Sequence, residues 1–105
     1  MAEKAIADTS RAEDLKALGN QKLKEKDYVA AEQFYSQAIE LCPHTEAYYQ
    51  NRALVRTTMG KFAEAIEDCD SALHINPASS KAYGRMGKAF FSANDFAKSA
   101  AAYEK

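Results

Sequence analysis

At 105 residues the chain has room for one domain and one modest core, and its formal net charge of -1 excludes a surface that gathers nucleic acid or anionic membrane by bulk charge. Few Pro and Gly beside abundant Ala, Leu, Glu, Lys and Gln favour helix, and scarce Val and Ile count against a sheet. No apolar run approaches the roughly 20 residues of a membrane span, none marks a signal peptide, and Cys42 and Cys69 are too few for a disulfide framework, so the cytosol is the expected compartment.

Residues 1–10 carry little apolar surface and are expected to form a flexible N-terminal arm. Ser10 followed by Glu13 has the spacing of a capping box, which predicts a first helix starting just after Ser10. From there the apolar positions predict helices over 12–24, 28–41, 46–58, 62–74 and 80–92, and a sixth from Phe96 onward. Lys26, Gly60 and Asn94 stand at the turns inside each pair. Gly and Asn tolerate the left-handed conformation that ends a helix. Pro43 and Pro77 stop the second helix of a pair and open the next one.

The pairs repeat at an offset of 34 residues. Pro43 recurs at Pro77, Ala38 at Ala72, and Ala31 at Ala65 and then Ser99. Tyr28 recurs at Phe62 and Phe96, Gly19 at Ala53 and Gly87, and Tyr35 at Cys69 and Tyr103. The small residues allow two helices to approach closely, and the aromatics fill the space between them. Such self-similarity marks a stack of supersecondary units that share one continuous core.

This pattern resembles the tetratricopeptide repeat (TPR). The resemblance covers residues 12 to 105 and implies an all-α fold, a right-handed superhelix of antiparallel helix pairs. Three repeats are expected, over 12–45, 46–79 and 80–105, the third incomplete and without a capping helix. The uncovered apolar face at that end is a surface for self-association. Lys22 and Arg56 depart from the family pattern, which has an aromatic there; Phe90 conforms. Cys69 replaces another aromatic, at a core position.

The first helix of each pair lines the inner wall of such a superhelix. Positions two, five, six and nine of each repeat fall within an arc of about 100° and form one face. That face holds Glu13, Lys16, Ala17 and Asn20, then Ala47, Gln50, Asn51 and Leu54, then Lys81, Gly84, Arg85 and Lys88. Positive charge and amide donors are thus concentrated on one wall of a near-neutral chain. Lys and Arg pair with carboxylates, Arg through two parallel bonds, and a terminal carboxylate is an established recognition element.

Lys16, Asn20, Asn51, Lys81 and Arg85 also match the five-residue carboxylate clamp of chaperone-binding TPR co-chaperones, position for position. The resemblance implies a non-enzymatic adaptor that binds the C-terminal Glu-Glu-Val-Asp tail of the seventy- and ninety-kilodalton heat-shock chaperones. Leu23, Lys88 and Phe91 are candidate flanking contacts, with core packing the competing role for Leu23 and Phe91. Two alternatives share these residues: a targeting domain cut from a TPR-bearing phosphatase or peptidyl-prolyl isomerase, and a generic scaffold for an internal peptide.

Other chemistries fit poorly. Cys42 with His44, and Cys69 with His74, lack metal-ligand spacing, and no cofactor is expected. No Ser or Cys stands beside a carboxylate-held His, and no Gly-rich phosphate loop is present. Glu64, Glu67, Asp68 and Asp70 are read as a solvated acidic face of one helix. Nucleic acid is the runner-up ligand for the basic stripe, with a weak electrostatic footprint. A membrane role has no support.

Overall fold

The computed structural model describes the backbone of residues 2–103 and the side chains of residues 7–94. Five helices follow one another: α1 (Ala2–Lys24), α2 (Tyr28–Leu41), α3 (Glu46–Thr58), α4 (Phe62–Ile75) and α5 (Ser80–Tyr103). Neighbours in sequence pack against each other, and α3 also packs against α5. Among the described residues no helix is long and apolar enough to cross a membrane.

The turns at the first two predicted positions form through left-handed backbone, with φ of 62° at Lys26 and 82° at Gly60. Asp27 then caps α2 by accepting the Ala30 N–H at 3.3 Å. Ser79 caps α5 in the same way, accepting the Ala82 N–H at 3.2 Å.

Two expectations are overturned. The helix predicted to start after Ser10 instead begins at Ala2, so residues 2–10 are helix and not an arm. This stretch contains no Gly or Pro and carries Ala2, Ala5 and Ala7, so nothing interrupts the hydrogen-bond ladder and Ser10 has no free helix end to cap. Thr9, one turn before Ala12, also meets the Cys42 thiol at the end of α2. At the other end, the turn expected at Asn94 does not form, and α5 runs through it to Tyr103. Asn tolerates a turn without requiring one, and the Ala-rich segment from Ala93 to Ala102 has high helix propensity. The side chains of Phe96, Ser99 and Tyr103, expected to complete the third repeat, lie outside the described residues.

The core alternates small and large side chains. Ala12, Ala38 and Tyr48 form one cluster, Ala31, Tyr35 and Val55 a second, and Ala53, Ala65, Cys69 and Ala89 a third. Each joins elements of successive pairs, so the core is continuous along the stack. Cys69 is fully buried, as its repeat position predicts; burial pushes its thiol up to about 11, helped by Asp68 and Asp70 and opposed by Arg85.

The glycines at the 34-residue offset are not equivalent. A Cβ on Gly19 would lie 2.6 Å from Cε1 of the fully buried Tyr35 ring, whereas one on Gly87 would meet nothing within 4 Å. Around Gly87, Tyr83 and Phe90 are each 56% exposed. Gly19→Ala therefore overpacks a ring that has nowhere to go, at a cost of about 1–3 kcal/mol that outweighs the gain in helix propensity. Gly87→Ala keeps only the propensity gain, up to about 1 kcal/mol. Thermal unfolding of the two variants is expected to move in opposite directions, and a rise in both would refute the close packing of Tyr35 on α1.

Candidate functional site

Helix α3 meets α1 on one side and α5 on the other, and the candidate site residues lie on these three helices. Tyr48 of α3 bonds to Glu13 of α1, and Gln50 of α3 donates to Ser79 Oγ, at the start of α5, at 2.9 Å. Lys16 and Asn20 lie on α1, Asn51 on α3, and Lys81 and Arg85 on α5. Asn20 and Lys81 are exposed, and Lys16, Asn51 and Arg85 are half-buried. Lys88 and Phe91 are exposed on α5, while Leu23 packs against the Ala31, Tyr35 and Val55 cluster.

Two α1 residues already have polar partners. Asn20 Oδ1 accepts the Tyr35 hydroxyl at 2.5 Å, so the carbonyl end of the amide is taken and the NH2 remains as donor. Lys16 Nζ pairs with Glu13 Oε1 at 3.0 Å, and the Tyr48 hydroxyl donates to the other oxygen of the same carboxylate. These contacts, the Tyr48 bond foremost, hold the Glu13 carboxyl below the usual value of 4.5. Arg85 differs: its Nε is buried and has no acceptor among the described residues. A buried guanidinium N–H without an acceptor is costly and is a position where a ligand oxygen would be stabilising.

Gln50, on the same predicted face, is turned away from ligand work. It is 5% exposed and donates to Glu46 Oε2 as well as Ser79, while Asn76 donates to Glu46 Oε1. It ties α3 to Ser79, the residue that caps α5, and thereby fixes where α5 starts.

The reading of Glu64, Glu67, Asp68 and Asp70 as a solvated face fails at Asp68, which is 2% exposed. Arg52 grips its carboxylate with two bonds, Nε to Oδ2 at 3.0 Å and Nη2 to Oδ1 at 2.6 Å. Arg56 adds a third at 3.1 Å and also donates to Glu32 of α2 at 2.9 Å, where Lys61 joins at 3.1 Å. Burial pushes the Glu32 carboxyl up, but the bonds and charges of Arg56 and Lys61 outweigh it and hold the group below 4.5. Arg52 and Arg56 point about 170° away from the face that carries Asn51, by helix geometry. The network therefore fastens α2, α3 and α4 behind the wall. It also accounts for Arg56 standing where the repeat pattern has an aromatic.

A family profile described as tetratricopeptide repeat matches residues 46–79, the boundaries of the second repeat. The small glutamine-rich tetratricopeptide repeat-containing protein 2 of Mycosarcoma maydis is 42% identical over 98 residues; these are 93% of this chain, which spans only 28% of that relative's length. Two solved structures are similar over most of this chain. The first TPR of Spaghetti (RPAP3), bound to the HSP90 peptide SRMEEVD, is 33% identical with a TM-score of 0.78, covering 80% of this chain and 67% of the other. The Arabidopsis OM64 TPR domain is also 33% identical, with a TM-score of 0.79, covering 90% and 78%. The offset of 34, the stacked helix pairs and these likenesses all point the same way, and the chain belongs to the tetratricopeptide repeat family.

Proposed function

We propose that this chain is a peptide-binding adaptor module without catalytic activity of its own. It holds the C-terminal carboxylate of an acidic chaperone tail, of the Glu-Glu-Val-Asp type found in the seventy- and ninety-kilodalton heat-shock classes, against α1, α3 and α5. Lys16, Asn20, Asn51, Lys81 and Arg85 supply the donors. The observation that carries this reading is the buried Nε of Arg85, without an acceptor among the described residues, beside ammonium and amide donors on the same three helices. A similar TPR domain of known structure holds the HSP90 peptide SRMEEVD, which supports the choice of ligand.

The chemistry is charge-assisted hydrogen bonding in a preformed groove, so the terminal carboxylate carries much of the affinity. Calorimetric titration with SRMEEVD is expected to show binding that weakens as salt is raised and disappears when the peptide is amidated at its C-terminus. Equal binding of both peptides would remove the clamp and leave a scaffold for internal segments.

A further inference from the structure

We infer that Tyr35 and Tyr48 are positioning residues for the α1 half of this site: two core hydroxyls, reaching α1 from α2 and α3, set the orientation of Asn20 and, through Glu13, of Lys16. The inference rests on the carboxylate-binding reading above and deepens it.

Both tyrosines are almost wholly buried, yet each hydroxyl meets a polar atom of α1. An asparagine amide has one accepting and one donating end, and it can rotate to present either. A carboxylate ligand needs the donating end. The Tyr35 hydroxyl takes Asn20 Oδ1 and so leaves the NH2 as the end available to a ligand. The route to Asn20 exists because the preceding residue is Gly19: the Tyr35 ring fills the space a Cβ would need there.

Glu13 is the second device. An acidic side chain beside an anion site is a competitor for its cation. Here the Tyr48 hydroxyl holds one carboxylate oxygen, and the other oxygen holds Lys16 Nζ at 3.0 Å. The lysine is fixed at a defined place with two of its three N–H donors still to give. Burial foremost, with Glu13, pushes the Tyr48 hydroxyl well above the usual phenol range, and burial also raises that of Tyr35, so both remain donors.

The internal repeat provides a comparison within the same chain. In the second repeat Cys69 stands at the place of Tyr35, Ala53 at that of Gly19 and Leu54 at that of Asn20. The hydroxyl, the glycine and the amide are all replaced there. A tyrosine that merely filled the core would have no reason to coincide with a polar residue on the wall.

The test uses Tyr35→Phe and Tyr48→Phe, which keep the rings and remove the hydroxyls. Each is titrated with SRMEEVD and with its amidated form. Each variant is expected to bind the free-carboxylate peptide about 3- to 10-fold more weakly, the worth of one hydrogen bond. Adding Tyr35→Phe to Asn20→Ala is expected to cost nothing more, because the hydroxyl acts only through that amide. In the ligand-free protein, the Asn20 side-chain amide resonances are expected to shift in Tyr35→Phe.

Wild-type affinity in both Phe variants would overturn the inference while leaving the carboxylate site standing. So would a Tyr35→Phe effect that adds fully to Asn20→Ala, or a loss of affinity matched by loss of helix. A wild-type protein that ignores the free-carboxylate peptide would overturn the site itself, and that is read from the unmodified chain alone.

Discussion

Replacing Asp68 with Ala is expected to cost this domain about 3 kcal/mol of stability, near the lower end for breaking a buried ion pair from one side. The carboxylate is 3% exposed at its side chain and receives three guanidinium hydrogen bonds from two arginines. Arg52 would keep only Ser36 Oγ, at 3.0 Å, and Arg56 would keep Glu32 and the more distant, half-exposed Glu64. Both arginine side chains are about one-sixth exposed, so they can relax partway toward water, which sets the expectation at the lower end. In thermal unfolding the loss corresponds to a fall of roughly 15 °C for a domain of this size.

Asp68→Asn sharpens the test. It preserves volume, but one oxygen becomes an NH2 facing a guanidinium, so stability should fall nearly as far as in Asp68→Ala. Asp70→Ala, two residues on and exposed, should change stability by no more than about 0.5 kcal/mol. Similar small effects at both positions would mean that Asp68 is solvated after all. The loss would be felt across the stack, because the network joins α2, α3 and α4 at the point where the first repeat meets the second.

The contrast between Asp68 and the turns shows what sequence alone can carry. Helix ends at Leu41 and Thr58 and the turn positions Lys26 and Gly60 were legible because local chemistry decides them: turn residues recur at one offset, and Pro closes the first two pairs. The proposed wall residues were selected on similar grounds, since which residues share a helix face follows from spacing alone. The ion network was not legible, because its pairs are 12 to 29 residues apart and only packing brings them together. A signal did exist. Asp68 stands three residues after Ala65 and four before Ala72, on the buried stripe of α4, and a charge there needs a partner. Arg56, displacing an expected aromatic, was the other half of that clue. The roles of Tyr35 and Tyr48 were hidden for a different reason: the 34-residue offset marks Tyr35 only as a repeat position, no pattern singles out Tyr48, and nothing local reveals where a buried hydroxyl points. The continuity of α5 was hidden because Asn94 is compatible with both a turn and a helix.

Arg85→Ala is expected to weaken binding of a free-carboxylate peptide by about 30- to 150-fold, equivalent to roughly 2–3 kcal/mol for a charge-assisted contact. Arg85→Lys should recover only part of this, because an ammonium keeps the charge but cannot offer the paired N–H donors of a planar guanidinium. The stability readout separates a ligand-binding role from a structural one. A buried donor with no acceptor is a cost to the folded state, so its removal should leave the unfolding temperature unchanged or raise it slightly. Asp68 and Arg85 therefore make opposite demands on the same two measurements. The first should lower stability without touching the groove chemistry, and the second should lower affinity without lowering stability. A marked drop in unfolding temperature for Arg85→Ala would place Arg85 with Arg52 and Arg56, as a residue that holds helices together. Loss of affinity alone would place it at the centre of the groove, where its buried Nε, without an acceptor among the described residues, awaits a partner's carboxylate.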